Sequence, residues 1–255
     1  MNPVLQQLVE TGCTETASGE WLPMHSQIPP MEGEFLQAIL YDLKPKATLE
    51  IGLAYGVSSL YILDALSKQA GCTHIIIDPC QFDPDLWDGC GLRNIEKAGF
   101  RDMVDFHHAP SHEALPEILK TGQRIDFAFI DGWHTFDYSF IDFFYAHKML
   151  NVGGLIALDD ANVPSVRKLT RYIVANHAYS VHQCLETYIQ PVVKRRRVLF
   201  NNTVLPLLKS MDARLNILKP DVLKTDAELG LFGRCIVLKK EAEDAMENPS
   251  AHAPF

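Results

Sequence analysis

The sequence has no CxxC pair, no run approaching the ~20 apolar residues of a membrane span and no excess of positive charge. Each absence excludes something. The six cysteines, at 13, 72, 80, 90, 184 and 235, are scattered, so neither a zinc site nor a disulfide framework is expected, and a reducing compartment fits. Several stand in apolar, strand-like contexts, where a free Cys behaves as a small hydrophobe. The N-terminus, MNPVLQQLVE, lacks a basic start. The reading is a soluble, cytoplasmic protein with no membrane partner. A formal net charge of −9 argues against a nucleic-acid partner, because phosphate binding needs clustered Lys and Arg. The basic run Lys194-Arg195-Arg196-Arg197 reads as a solvated helix start, with an anionic substrate or partner as the alternative. A GxGxxG turn and the Lys of a phosphate-binding P-loop are also missing.

What is there suits a globular enzyme-sized chain. Its 255 residues are 47% hydrophobic and 22% charged, enough for a full core in one large α/β domain. Strand-like and helix-like stretches alternate from residue 47 to 177. The strands read as 47–52, 73–78, 103–109, 125–131 and 153–160; the helices as 57–69, 91–99, 111–120, 136–150 and 164–177. Apolar runs without alternation, separated by helices, imply a mostly parallel sheet covered on both faces. YSVHQCLE and GRCIVLKK read as two further strands, with 191–230 an insertion between them that carries a helical pattern in VLFNNTVLPLLKSMDARL. Residues 1–240 are expected to form a single domain, 1–30 a cap segment, and 241–255 a flexible tail.

In open parallel sheets, ligands sit outside the carboxyl ends of the strands. The residues there are Glu50 and Gly52, Asp78, Ser111 and His112, Asp131 to His134, and Asp159-Asp160. Any one could be a turn or cap residue; five successive polar strand ends are harder to assign to turns. Gly52 and Gly56 permit a sharp bend and a close ligand approach. Asp78 is placed to bind a ribose diol, with a turn cap before Pro79 as the bland alternative.

The ordered set LEIGLAYGVSSLYI, IIIDP, PSHEALPEIL, FIDGWH and GGLIALDD resembles the class I S-adenosylmethionine-dependent methyltransferases across residues 28–175. It is most similar to the metal-dependent O-methyltransferases of the catechol and caffeoyl-CoA type, and to the bacterial branch that modifies antibiotic sugars. The resemblance implies a Rossmann-like, seven-stranded, mostly parallel sheet with helices on both faces. It also implies S-adenosyl-L-methionine as cofactor, held by Glu50, Gly52, Gly56, Ser58, Asp78, Ser111, His112, Asp131 and Trp133. Asp131, Asp159 and Asp160 would hold a divalent cation, Mg²⁺ by chemistry; Pro164 would line the acceptor pocket; a homodimer is an expectation by the same analogy. Two positions depart from the pattern: Asp160 replaces an Asn, and His134 stands where the catalytic Lys would be.

Physically, three carboxylates on neighbouring strand ends suit a hard cation, and without one they repel. An imidazole, with a reference pKa of about 6.5, can take a hydroxyl proton at neutral pH. The expected function is O-methylation of a small-molecule hydroxyl (sugar, polyketide or phenol) with His134 as base. The alternatives are a metal-independent methyltransferase, a non-catalytic cofactor binder, and a nicotinamide dehydrogenase, which would want the missing GxGxxG turn.

Overall fold

The computed structural model describes residues 1–185, 225–226, 228–231 and 233–244, with single positions 203, 206, 207 and 210. Tyr188, Phe200, the basic run, most of the 191–230 segment and 245–255 lie outside the described residues.

The chain opens with helix α1 (Pro3–Thr11), a hairpin of β1 (Cys13–Glu15) and β2 (Trp21–Pro23), and helix α2 (Pro30–Leu43). Alternation follows: β3 (Ala47–Ile51), α3 (Val57–Leu66), β4 (Thr73–Ile77), α4 (Cys90–Lys97), β5 (Val104–His107), α5 (Ser111–Lys120), β6 (Ile125–Ile130), α6 (Phe136–Met149), β7 (Leu150–Leu158) and α7 (Pro164–Asn176). Strands β8 (Tyr179–Leu185) and β9 (Cys235–Lys240) complete a seven-stranded sheet in the order β5-β4-β3-β6-β7-β9-β8. The pairs from β5 to β7 are parallel; β9 runs antiparallel to both neighbours.

The unbroken apolar strands have the expected cause. Along β6, Phe127 and Phe129 point to the face covered by α1 to α4, while Ala128 and Ile130 point to the face covered by α5 to α7. Both faces are therefore dry, and the class I α/β sheet anticipated from the sequence is the sheet observed. No described helix is long and apolar enough to cross a membrane.

Boundaries differ in physically simple ways. Helix α3 stops at Leu66, where turn bonds from Ser67 to Gln69 replace the helix. Strand β7 starts at Leu150, earlier than expected, because a register shift lets Leu150 pair with Ile125 ahead of the Gly153-Gly154 bend. The hairpin had no sequence signal: Trp21, Leu22 and Pro23 are all exposed, so no buried alternation marks them.

Candidate active site

The carboxyl ends of four strands are levelled by a row of backbone hydrogen bonds. The N–H groups of Asp78, Gly52, Asp131 and Asp159 donate to the carbonyls of His107, Ile77, Ile51 and Ile130, at 3.2, 2.9, 3.0 and 3.2 Å. Side chains just past this row leave the sheet at one height. A cleft of about 690 Å³ opens above it. Gly52, Ser58, Asp78, Ser111, His112, Asp131, Trp133 and His134 are in its wall; Glu50, Gly56, Asp159, Asp160 and Pro164 are not.

Glu50, expected among the residues that hold the cofactor, lies outside the cleft wall. It is fully buried beneath the glycine turn, where the hydroxyls of Ser58 and Ser59 donate to its two oxygens and His74 Nε2 lies 2.8 Å away. Its carboxylate anchors the start of α3 to the sheet. Gly56 likewise serves packing: a Cβ there would come within 3.0 Å of the Gly91 carbonyl oxygen. Gly52 is the turn residue at the cleft itself, with φ +97° and space so tight that a Cβ would sit 2.2 Å from the Asp131 carbonyl oxygen. Pro164 is an exposed first residue of α7; its neighbour Ser165 donates to the His134 carbonyl and so fixes that loop.

Asp78 organises the turn. Its Oδ2 accepts the N–H groups of Leu53 (2.9 Å) and Ala54 (3.0 Å), and Oδ1 accepts that of Cys80 (2.7 Å). Carboxylate oxygens offer about four lone-pair sites, so one is left for a ligand hydroxyl. At the other end of the cleft, Ser111 and His112 open α5, the His112 ring meets Tyr138, and Trp133 stands 71% exposed as a rim. Asp142, only 1% exposed, lines this end; burial pushes its pKa up to about 6, against the pull of a Ser111 hydrogen bond.

Behind the cleft the carboxylates gather. Burial and neighbouring Asp159 push the Asp131 pKa well up. Burial also pushes Asp159 up, but the hydrogen bonds and charge of Arg234 overrule it and hold it low. Arg234 Nε and Nη2 donate to Asp159 Oδ1 and Oδ2, both at 3.1 Å. Arg234 Nε also lies 3.2 Å from Asp160 Oδ1 and 3.5 Å from Glu32 Oε2. His134 Nε2 faces Asp160 Oδ2 at 3.4 Å and Asp131 Oδ1 at 3.6 Å.

This geometry does not fit the divalent cation that the resemblance placed on Asp131, Asp159 and Asp160. Both oxygens of Asp159 already face a guanidinium, and Mg²⁺ demands near-octahedral oxygen ligation at about 2.0–2.1 Å. Among the described residues, the group of His, Cys, Asp or Glu ligand atoms all within 4.8 Å of one another is His147, His177 and Asp244. That group lies at the opposite end of the sheet, where β7 and β8 begin.

Three participants escaped the sequence reading. Arg234 precedes β9, far along the chain from Asp159, and nothing local marks it. Glu32 sits on the inner face of α2, where it reads as a surface residue of an amphipathic helix. Asp142 did leave a signal, since it shares a helical face with buried Ser139, Phe143 and Ala146.

The comparisons with known proteins bear on the family and the fold. A family model described as a methyltransferase domain matches residues 49–161. The chain is 30% identical over 186 residues to a caffeoyl-CoA O-methyltransferase of Petroselinum crispum, covering 63% of this chain and 70% of that one. It is 31% identical over 137 residues to a caffeoyl-CoA O-methyltransferase of Populus kitakamiensis, covering 52% and 54%. The chain spans about half the length of most of the curated relatives it matches. An O-methyltransferase from Bacillus cereus, solved in complex with SAH, shares the fold with a TM-score of 0.58 at 21% identity, over 71% of this chain and 83% of that chain. A relative 30% identical across more than two thirds of its own length, joined to this sheet order, means that the chain belongs to the class I S-adenosylmethionine-dependent O-methyltransferase family.

Proposed function

We propose that the protein transfers a methyl group from S-adenosylmethionine to a hydroxyl of a small molecule, with His134 taking the proton. The observation that carries this reading is the sign of the cleft. Among the described residues, its wall holds the carboxyl groups of Asp78, Asp131 and Asp142 and no Lys or Arg. A wall without a fixed cation gives a dinucleotide pyrophosphate no partner, while its carboxyl groups suit a ligand bearing a sulfonium and an ammonium group.

The residues divide by position. Asp78 would accept ribose hydroxyls, Gly52 lets the ligand approach the backbone, and Asp131 faces the cationic end. Ser111, His112 and Trp133 bound the adenine end. Bound S-adenosylmethionine would supply an electrophilic methyl carbon, so alignment and proton removal are left to the protein. His134 lines the cleft beside Asp131, with Asp160 behind its Nε2, which suits a base held by a carboxylate. Tyr55 and Trp87 also line the cleft and pack edge to face at 5.1 Å, an aromatic wall that favours a phenol over a sugar as acceptor.

Calorimetric titration with S-adenosylmethionine, S-adenosylhomocysteine and NAD, followed by transfer of labelled methyl to a panel of phenols and sugars, tests the reading. Binding of both adenosyl ligands and methyl transfer to a hydroxyl are expected. Binding of NAD alone overturns it.

A further inference from the structure

We infer that Arg234 is the resident cation of this site, standing where a divalent metal would otherwise neutralise the carboxylates, so that methyl transfer here runs without a bound metal. The inference deepens the methyltransferase reading and rests on it for the word transfer; the cation's identity does not.

The geometry begins with the backbone. Arg234 is set between strands rather than on a loose loop: its N–H donates to the Leu185 carbonyl at 3.2 Å, and its carbonyl accepts the Ala161 N–H at 2.7 Å. Ala161 comes two residues after Asp159, and β7 pairs with β9 from Leu158↔Ile236 onward. Sheet register thus delivers the guanidinium to the acidic strand end. The side chain then grips Asp159 with two parallel bonds, the bidentate geometry that makes Arg specific for carboxylates. From the same position Nε reaches Asp160 and the fully buried Glu32. One fixed positive charge therefore touches three carboxyl groups.

A divalent cation at this place would have to displace those bonds and then sit beside the guanidinium it displaced. Arg cannot discharge to make room, since its guanidinium stays protonated. The arrangement also reaches the proposed base. Arg234 holds one oxygen of Asp160 while the other oxygen faces His134 Nε2 at 3.4 Å. Arg234 is in this sense a positioning residue: it orients the carboxylate that orients the imidazole.

The test is a titration of the full chain with Mn²⁺, followed by electron paramagnetic resonance and by thermal shift, for the wild type and for Arg234→Met. The wild type is expected to bind no Mn²⁺ at submillimolar concentration that Asp159→Asn abolishes, and to show no rise in Tm that depends on Asp159. Arg234→Met is expected to lose several degrees of Tm and to recover them with Mn²⁺, because the freed carboxylates then need a cation. One equivalent of Mn²⁺ bound by the wild type and lost in Asp159→Asn overturns the inference. So does a folded Arg234→Met that ignores Mn²⁺. If Arg234→Met does not fold, the wild-type titration decides alone. S-adenosylmethionine binding, measured on the same samples, fails separately if the cofactor reading is at fault.

Discussion

His74 Nε2 lies 2.8 Å from Glu50 Oε2, and neither side chain is exposed. Thr48 Oγ1 lies 2.8 Å from the other ring nitrogen, so a polar chain runs from β3 through β4 to the serines that start α3. Glu50→Ala would orphan two hydroxyls and an imidazole at once. The expected loss is about 3 kcal/mol or more, read by denaturant unfolding, since each buried group left unsatisfied costs about 1–3 kcal/mol. His74→Leu is expected to cost less, because Glu50 keeps its two serine donors. A Glu50→Ala variant as stable as the wild type but unable to bind cofactor would show that the carboxylate acts on ligand instead.

Gly52→Ala is expected to fail at the turn itself. The added Cβ would lie 2.2 Å from the Asp131 carbonyl oxygen, and φ there is +97°, a conformation L side chains rarely adopt. Relief requires β3 and β6 to part at their ends, which moves Asp131 in the cleft. Affinity for S-adenosylhomocysteine should fall at least about tenfold, about 1.4 kcal/mol, by calorimetry. Unchanged affinity in a folded variant would mean that the turn does not shape the site.

How far these features were legible depends on their range along the chain. Strand β6 and its polar exit were readable because Phe127 to Ile130 are contiguous and the sheet rule says where the next residues stand. The strand-end set was readable for the same reason, and eight of its members line one cleft. Glu50 was harder to place: its direction depends on side-chain alternation within β3, which points it under the turn, and on a partner, His74, on the next strand. Arg234 was not readable at all. Its contact with Asp159 exists only through the β7–β9 pairing, and sequence spacing carries no trace of an antiparallel return.

His134→Ala is expected to lower kcat by about 10²–10⁴-fold, the ordinary worth of a positioned general base. Cofactor affinity should change little, since the ring faces Asp131 and Asp160 rather than Asp78. Steady-state kinetics with an accepted phenol and calorimetry with S-adenosylhomocysteine separate the two. An unchanged kcat would remove the base assignment and leave the rest of the site standing.

Trp133 contributes little to the folded core, being 71% exposed, yet it lines the cleft. Trp133→Ala should therefore leave Tm nearly unchanged, within the roughly 0.5 kcal/mol of ordinary surface substitutions. If its ring covers the adenine, cofactor binding should weaken by about 1–3 kcal/mol, the measured range for a base stacked on an aromatic side chain. A loss of stability without a loss of affinity would place Trp133 in packing rather than recognition.

Asp142 gives a pH signature. It is 1% exposed, its Oδ1 has no hydrogen-bond partner among the described residues, and burial raises its pKa to about 6. A free Asp titrates at about 3.9. The folded state therefore holds this proton more tightly than the unfolded state does. Stability from this group is fully present below about pH 3.9 and is lost as pH rises through about 6. At neutral pH the cost approaches about 3 kcal/mol, from a two-unit shift. Asp142→Asn, which cannot ionise, should be more stable than the wild type at pH 7.5, and the difference should vanish near pH 4. Other buried carboxylates titrate in both proteins, so the measurement is the difference in unfolding free energy across pH 4 to 7.5. A difference that stays flat over that range would mean that Asp142 is ionised in the fold, with a cation or donor supplied from the cleft it lines.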